Sequence, residues 1–390
     1  MKVRNIHIGW WLGSMLTLLC AACGGGDEGS DTPAPPSGPQ LEIHVFTPER
    51  PMVTRSDIGD VEAEAAEKEL HSMSIWVFQH SDGSPVGYLS PSKEALPTTQ
   101  SRTYRLTVTD AFAEAKPNVD IFVMANVTTS NTGITLGPNS SREDLQAAMI
   151  QHSETASTDY FGLTSLQSTV PADGLPMSGV LLDQPVDGLA PVLSVSTNVK
   201  VARAVSKVRF VFSMSKSSEG DTKTLTIDNI TLSEGMIPSS EYLYLDGPYT
   251  GRNTHVYGTN NYEPSKEMAS NVSVISCQDP GKYAYAGQSG QDYENLIKSG
   301  IGGDTPELTS VGPFYLRESD RKVSGTIYYT IGSSTQKNIS FSLSEAGDFS
   351  RNHSWIVYGY FVGDNILEVN SLKIDDWTNT DDGSHEVYNW

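Results

Sequence analysis

Residues 41–60 read LEIHVFTPERPMVTRSDIGD, and this stretch joins a short strand to a basic and then an acidic segment. The apolar residues Leu41, Ile43 and Val45 alternate with polar ones, which is the period of a strand with one buried face. Two arginines follow the strand, and acidic residues follow the arginines. The stretch therefore predicts a core strand, and it raises the question of why an exposed basic segment follows directly behind it.

Runs of the same kind recur through the rest of the chain. They are rich in Val, Ile, Thr, Tyr and Phe, and clusters of Gly, Pro, Asn, Asp and Ser separate them, which is typical of strands and turns. The runs are SMSIWVFQ (72–79), TYRLTV (103–108), VDIFVMANV (119–127), KVRFVFSMS (207–215), KTLTIDNITL (223–232), SGTIYYTI (324–331), KNISFSL (337–343), SWIVYGYFV (354–362) and ILEVNSLKI (366–374). Because helices do not alternate with the strands, the pattern predicts an all-β protein of antiparallel β-sandwiches.

Helix signals are few. Ser141 is a candidate N-cap for REDLQAAMIQ, with Asp144 completing a capping box. Residues 61–70, VEAEAAEKEL, suit either a helix or an acidic linker. A loose stretch near residues 190–203 predicts a boundary between two domains.

The N-terminal residues have the form of a lipoprotein signal. A basic start and a short apolar run at residues 8–19 predict a signal peptide over residues 1–22. Cys23 follows two alanines and is the predicted lipidation site, carrying fatty acid such as palmitate. Residues 23–40 are rich in Gly, Ser, Pro and acids, and we predict that they form a flexible tether. Ordinary signal cleavage beside an incidental cysteine is the alternative.

Composition excludes several classes of protein. The formal net charge is -21 and no cluster of Lys and Arg is interleaved with aromatics, so nucleic acid is not an expected partner. The cysteines are Cys20, Cys23 and Cys277; if the first leaves with the signal and the second is acylated, no intrachain disulfide can form. The fold must then be stabilised by its cores.

Motifs for catalysis and cofactor binding are missing from the sequence. It contains no HExxH, GxSxG or Walker motif. Ser90 and Lys93 match S-x-x-K in letters, but Pro91 makes that segment a loop rather than the helical turn that the motif requires. Residues 378–386, TNTDDGSHE, lack the full ligand series of a calcium loop. We predict no enzyme activity, no cofactor and no metal.

Four segments together carry a resemblance to a known family. They are TRSDIGDVEAEAAEKELHSMSIWVFQHSDG, PNVDIFVMANV, VKVARAVSKVRFVF, and RNHSWIVYGYFVG followed by LEVNSLKIDDWTNTDDGSHEVYNW. In this order the sequence resembles the fimbrillin family, the structural subunits of type V pili of Bacteroidales. The resemblance covers about residues 40–390, except for residues 235–320, which match nothing in it.

The resemblance implies two transthyretin-like β-sandwich domains in tandem, at residues 56–197 and 198–374. It also implies export as an outer-membrane lipoprotein and a cut by an arginine-specific protease behind the first strand. The cut releases residues up to 55, and a strand from another subunit then fills the groove that the first strand leaves. The partners would be other copies of this chain and accessory fimbrial subunits, in a fimbrium at the cell surface that supports adhesion.

The best match to the cut is the bond between Arg55 and Ser56. Arg50 is the other candidate, but it is followed by Pro51, which most proteases tolerate poorly behind the scissile bond.

The candidate donor strand is the C-terminal tail, residues 375–390. It carries the large apolar residues Trp377, Val387, Tyr388 and Trp390 within an otherwise polar segment. The alternative is that the tail forms the last strand of its own domain.

Two other functions stay open at this stage. One is a non-polymerising anchor or tip lipoprotein of the same fold, which would keep its lipid or lack a donor tail. The other is a glycan-binding outer-membrane lipoprotein, which would need exposed coplanar aromatic rings. Strand tyrosines such as those at 328, 329, 358 and 360 are more often core residues than sugar platforms.

Overall fold

The computed structural model describes residues 38–47, 65–97, 101–129, 134–151, 170–215, 223–238, 240–244, 266–274, 276–277, 309–343, 349–362, 365–374 and 385–389. Short strands dominate these residues, and the all-β prediction is confirmed. The helices of the described part are α1 (Ala65–Lys68), α2 (Asp110–Ala115) and α3 (Arg142–Ala147), with one 3₁₀ turn at Lys93–Ala95.

The strands fall into two groups along the chain. The first group is β1 (Gln40–Phe46), β2 (Met73–Gln79), β3 (Pro85–Leu89), β4 (Ser101–Thr107), β5 (Val119–Ala125), β6 (Met149–Gln151), β7 (Met177–Gln184), β8 (Val186–Leu189), β9 (Val192–Val195), β10 (Val199–Lys200) and β11 (Ala202–Arg203). The second group is β12 (Ser206–Ser215), β13 (Leu225–Leu232), β14 (Ser240–Tyr242), β15 (Lys266–Val274), β16 (Ser276–Cys277), β17 (Thr309–Leu316), β18 (Ser324–Ile331), β19 (Lys337–Ser342), β20 (Ser354–Val362), β21 (Asn365–Ile374) and β22 (His385–Asn389).

The first group forms an N-terminal sandwich. One sheet has the order β10-β1-β9-β8, with β4 on the other side of β1, and the facing sheet has the order β11-β7-β5-β2-β3. Alternate residues of both sheets meet in one apolar core that also takes in α2. The strand β5 is buried at every position, because its second face is covered by another apolar cluster.

The second group forms a C-terminal sandwich. One sheet has the order β16-β12-β20-β21-β22, with β17 also paired to β12, and the other has the order β15-β13-β18-β19. The side chains of β12, β13 and β18 supply much of the core between them, with Trp355 fully buried among them. Most of the described pairs are antiparallel, but β12 runs parallel to both β20 and β16.

The two groups also contact each other. The strand β14 pairs with β6, and the cluster on the outer face of β5 contains Leu243, Tyr244 and Tyr315 from the second group. The strands β10 and β11 still pair with β1 and β7 of the first group, so strand pairing changes sandwich between β11 and β12. The boundary predicted between residues 197 and 198 stays a prediction.

Local signals in the sequence located several elements accurately. The strands β18 and β20 have the bounds of the runs SGTIYYTI and SWIVYGYFV. The capping box of α3 is confirmed, because the Ser141 side chain accepts from the backbone of Asp144 and the Asp144 carboxylate accepts from that of Ser141. Of the stretch 61–70, residues 65–68 are helical.

Asn126 fixes the chain that leads from α1 into β2. It is fully buried and left-handed, with φ 55°. Its Oδ1 accepts from the backbone of His71 at 2.7 Å and its Nδ2 donates to the carbonyl of Glu69 at 2.8 Å. Gly174 packs against Asn126 and has φ +78°. A larger residue does not fit there, because its Cβ would lie 2.3 Å from Asn126 Nδ2.

Replacing Asn126 by alanine should lower the unfolding free energy by about 2–4 kcal/mol. The buried backbone groups that it bonds would lose their partner, and alanine is less favourable than asparagine in a left-handed backbone conformation. Asn271 is a matched control, because it has the same φ of 55° but is exposed. Asn271→Ala should cost only the backbone part, about 1 kcal/mol. Urea unfolding of both variants checks this, and equal losses would contradict the role of the Asn126 side chain.

Candidate functional site

The strand β1 is an inner strand of its sheet. On one side it pairs antiparallel with β4 along its whole length, from Gln40 opposite Thr107 to Phe46 opposite Ser101. On the other side it pairs in parallel with β9 at its start and with β10 at its end. Taking β1 away would therefore divide the sheet and leave backbone groups unpaired on both sides of a slot.

The side chains of β1 belong to the N-terminal core. Leu41, Ile43 and Val45 are 0%, 1% and 0% exposed, and the burial alternates along the strand as the sequence predicted. Burying an aliphatic side chain stabilises a protein by about 1.5–3 kcal/mol. The burial of three such side chains is comparable in size with the net free energy of unfolding of a typical domain, roughly 5–15 kcal/mol. The strand is thus a structural part of the sandwich and not an appendage.

The ends and the outer face of β1 are also held. The backbone N–H of Gln40 donates to the Pro191 carbonyl at 2.8 Å, and the N–H of Val201 donates to the Phe46 carbonyl at 2.8 Å. On the solvent side, Arg105 of β4 forms an ion pair with Glu42 at 2.7 Å. All of these interactions would be lost if β1 were removed.

The predicted processing sites lie outside the described residues. Arg55 and Ser56 fall between the end of β1 and the start of α1, and Cys23 precedes β1. Their order along the chain means that a cut after Arg55 severs β1, and any group on Cys23, from everything after residue 55.

Glu67 of α1 holds the chain on the far side of the predicted cut. It is fully buried, and its Oε1 accepts from Tyr315 at 2.6 Å and lies 2.8 Å from the ammonium of Lys207. Its carbonyl accepts from Arg203 at 3.0 Å. Sequence reasoning did not single out Glu67, because an acid within VEAEAAEKEL looks like one of several solvated charges.

The C-terminal tail is described only at residues 385–389. There β22 pairs antiparallel with β21, with Val387 opposite Leu372 and Tyr388 opposite Ser371. It stands at the end of the order β16-β12-β20-β21-β22, so β21 is the neighbour that holds it. Trp377 and Trp390 lie outside the described residues.

A second buried cluster of charges includes Glu241 of β14. The guanidinium of Arg351 donates to Glu318 Oε1 from two nitrogens, at 3.0 and 2.6 Å. Glu241 accepts from the backbone of Glu318 at 3.1 Å and lies 3.9 Å from Arg351. Burial is the main cause that raises the pKa of Glu241 to about 8; the Arg351 charge opposes the rise, and the Glu318 carboxylate adds to it.

The described part of the chain bears on other functional classes as well. It contains no group of His, Cys, Asp and Glu arranged to hold a metal ion. No helix in it is both long and apolar enough to cross a membrane. Its exposed large hydrophobic residues are Leu189 and Val192, neither of them aromatic. Tyr329 is a core residue, 4% exposed and in edge-to-face contact with Phe361.

Similar proteins were found by structure and not by sequence. No protein-family model matches the chain, and no curated protein matches it significantly. The chain is similar in structure to fimbrial proteins. The tip fimbrial protein Mfa3 of Porphyromonas gingivalis, with a C-terminal truncation, is 13% identical, and the match covers 90% of this chain and 99% of that one at a TM-score of 0.45.

Two further solved structures are of the same kind. The fimbrilin FimA of Porphyromonas gingivalis is 10% identical over 90% of this chain and 97% of that one, at a TM-score of 0.45. A fimbrial assembly protein of Parabacteroides distasonis is 13% identical over 90% and 99%, at a TM-score of 0.42. These neighbours are of the family that the sequence resembles. Since the identities and scores are low, the function of this chain has to rest on its own residues.

Truncating the core face of β1 should weaken the protein far more than truncating its outer face. Ile43→Ala should lower the unfolding free energy by about 2–4 kcal/mol through lost burial and a cavity. His44 faces solvent and bonds to Thr103, so His44→Ala should cost less than about 1 kcal/mol. Denaturant unfolding of the uncut chain measures both, and similar losses would mean that β1 is not part of the core.

The raised pKa of Glu241 makes stability depend on pH. Between the ordinary pKa of a glutamate, 4.5, and the pKa of Glu241 in the fold, about 8, the folded chain keeps a proton that the unfolded chain releases. The stability from this proton is therefore complete below the lower value and is lost as the pH rises through the higher one.

Glu241→Gln removes that titration while keeping the shape of the side chain. At about pH 5 the variant should match the parent, and at about pH 9 it should be the more stable by on the order of a few kcal/mol. Glu234 is exposed, so Glu234→Gln is the control and should change little at either pH. Melting temperatures across this pH range test it, and parallel curves for parent and Glu241→Gln would contradict the assignment.

Proposed function

We propose that this chain is a structural subunit of a cell-surface fimbrium that assembles by exchange of β-strands and supports adhesion. The observation that carries the proposal is the position of β1. This strand is built into the middle of a sheet, contributes three buried aliphatic side chains, and precedes Arg55, the predicted cleavage site.

In this arrangement β1 occupies the binding site for another subunit until it is removed. While β1 is attached, the subunit is a complete sandwich and has no slot to offer. Once β1 is cut off and displaced, β4 on one side and β9 with β10 on the other present open edges. A strand from another copy can then make the same backbone bonds and fill the same core positions. Because donor and acceptor surfaces differ, this contact repeats into an open filament.

The segment before β1 fits a membrane-held precursor. In this proposal Cys23 carries the lipid, the tether keeps the precursor at the outer membrane, and an arginine-specific protease cuts between Arg55 and Ser56. The cut separates lipid, tether and β1 from the rest of the chain in one step. The buried contacts of Glu67 keep the remaining chain attached just beyond the cut.

The donor in this proposal is the C-terminal tail of another copy, residues 375–390. Its residues Trp377, Val387, Tyr388 and Trp390 supply apolar groups for the slot. The strand β22 stands at the edge of its sheet, so its departure leaves β20 and β21 paired.

A second candidate is a fimbrial lipoprotein that does not polymerise, such as an anchor or a tip subunit. The pairing of β22 with β21 favours it, because a tail that stays in its own sheet cannot be donated. The two candidates differ in whether the chain is processed and in whether the tail leaves its sheet.

An arginine-specific protease should cut the purified, fatty-acid-labelled precursor after Arg55. The products should be a labelled fragment that ends at Arg55 and a folded chain that starts at Ser56. Arg55→Ala should abolish this cut, whereas Arg50→Ala should leave it unchanged because Arg50 precedes Pro51. Mass spectrometry of the products decides; cutting of Arg55→Ala at the same place and rate would contradict the assignment.

Deleting residues 378–390 separates the two roles of the tail. A donor tail predicts a folded, processed monomer with a nearly unchanged melting temperature that makes no filaments by electron microscopy. It should still accept the tail of an intact subunit. An ordinary terminal strand predicts a large loss of stability, because an exposed core edge costs a sizeable share of roughly 5–15 kcal/mol. Filaments made by the truncated chain alone would rule out the donor role.

A further inference from the structure

The turn between β8 and β9 is exposed and apolar. Its residues Leu189, Ala190, Pro191 and Val192, here called the hairpin tip, follow one another in the sequence and are all exposed. Leu189 and Val192, at 80% and 41%, are the exposed large hydrophobic residues of the described part of the chain. Hairpin turns of two residues are ordinarily built from Gly, Asn or Asp. A contiguous apolar tip indicates a surface that is covered by something other than water.

The hairpin tip is held in place by its neighbours. The two strands that it joins pair with each other up to the turn. The ammonium of Lys116 donates to the carbonyl of Gly188, just before the tip. The backbone N–H of Gln40 donates to the Pro191 carbonyl at 2.8 Å. The apolar side chains are therefore presented from a fixed position on the sandwich.

The predicted tether enters the sandwich beside the hairpin tip. Gln40, the first residue of β1, lies opposite Val192 in the parallel pair of β1 and β9. Residues 24–37, which are 14 residues, separate Gly38 from the predicted lipid site at Cys23. A Gly- and Ser-rich chain of that length spans about 20 Å on average. A lipid on Cys23 would thus hold the tip close to the membrane surface, at a high effective concentration.

We propose that the hairpin tip of the precursor inserts into the lipid surface to which Cys23 tethers the chain. This inference rests on the lipid-held precursor proposed above and adds which surface of the subunit faces the membrane. Insertion is apolar, since a chain with a net charge of -21 is not attracted to anionic lipid. Four residues are also far fewer than the roughly 20–30 on each side of a stable protein interface.

The contact would orient the precursor for processing. The strand β1 begins beside the hairpin tip at Gln40 and ends at Phe46, at the other end of the sandwich. Its length of seven residues carries the chain about 20 Å away from the tip. The linker with Arg55 would therefore begin on the side that faces away from the membrane, where a protease can reach it.

Vesicles that hold the chain by its N-terminus test this inference. The chain from residue 23 onward carries a polyhistidine tag in place of the lipid and is bound to phosphatidylcholine vesicles that contain a nickel-chelating lipid. Cys23→Ser and Cys277→Ser remove its thiols, and Ala190→Cys accepts a fluorophore that brightens in lipid. Lys200→Cys is the control label, because Lys200 is exposed and lies beside Phe46 at the other end of β1.

The label at position 190 should brighten on the vesicles and be quenched by a lipid with a spin-labelled headgroup, and the label at position 200 should do neither. Leu189→Ser and Val192→Ser should each lower the ratio of inserted to free tip roughly tenfold, because each removes an apolar side chain from the lipid. High salt should change the ratio little. Both residues are exposed, so the melting temperatures in solution should match that of the parent.

The other outcomes distinguish this inference from the proposed function. A label at position 190 that stays dark on the vesicles, or that brightens equally in the serine variants, overturns the insertion without bearing on the lipid anchor. Brightening without vesicles as the protein concentration rises, with dimers in sedimentation, makes the tip a contact between copies and also overturns it. Metabolic fatty-acid labelling tests the anchor separately: label that survives in Cys23→Ala contradicts the proposed lipidation, whereas insertion of the tagged chain would still stand.

Discussion

The structure depends on one strand that lies between two partners. The strand β1 joins β4 on one side to β9 and β10 on the other, and its three aliphatic side chains fill the core between the sheets of the N-terminal sandwich. Such a strand contributes twice, through backbone bonds along both edges and through burial. Both contributions would be lost together if β1 left its sheet, and in the proposed exchange a replacement strand would regain both.

The C-terminal sandwich has a strand of the same kind that cannot be used in this way. The strand β12 pairs with β20 on one side and with β17 and β16 on the other, and its phenylalanines are buried in the second core. It lies in the middle of the chain, however, so no single cut releases it. The strand β1, in contrast, would be separated from the rest of its sandwich by a single cut behind it, so the proposed replacement of a strand involves one sandwich only.

The two halves are locked together just beyond β1. The ion pair of Glu67 with Lys207, joined by Tyr315 and Arg203, links α1 to strands of the second half in a fully buried position. Breaking a buried pair by removing one partner typically costs about 3–5 kcal/mol, because the other charge is left without compensation. Asn126 also holds residues 69–72, so the chain that enters β2 is fixed by contacts that do not involve β1.

Much of this could be predicted from local sequence, and the rest could not for physical reasons. A few neighbouring residues determine the alternation in β1, the bounds of β18 and β20, and the capping box of Ser141. The central position of β1 depends on pairing with β9 and β10, about 150 residues later, which no local pattern encodes. The burial of Glu67 and the cluster around Glu241 likewise depend on partners from distant strands. The roles of Cys23 and Arg55 are predictions from sequence alone.

The most direct test of the account is the composition of the N-terminal sandwich in protein taken from the cell surface in its assembled form. N-terminal sequencing and intact mass would establish where the chain starts and whether residues 41–55 are still bound. The account predicts a chain that starts at Ser56, with no copy of β1 retained. A chain that starts at Cys23, or a cut chain that still holds its own β1, would contradict it.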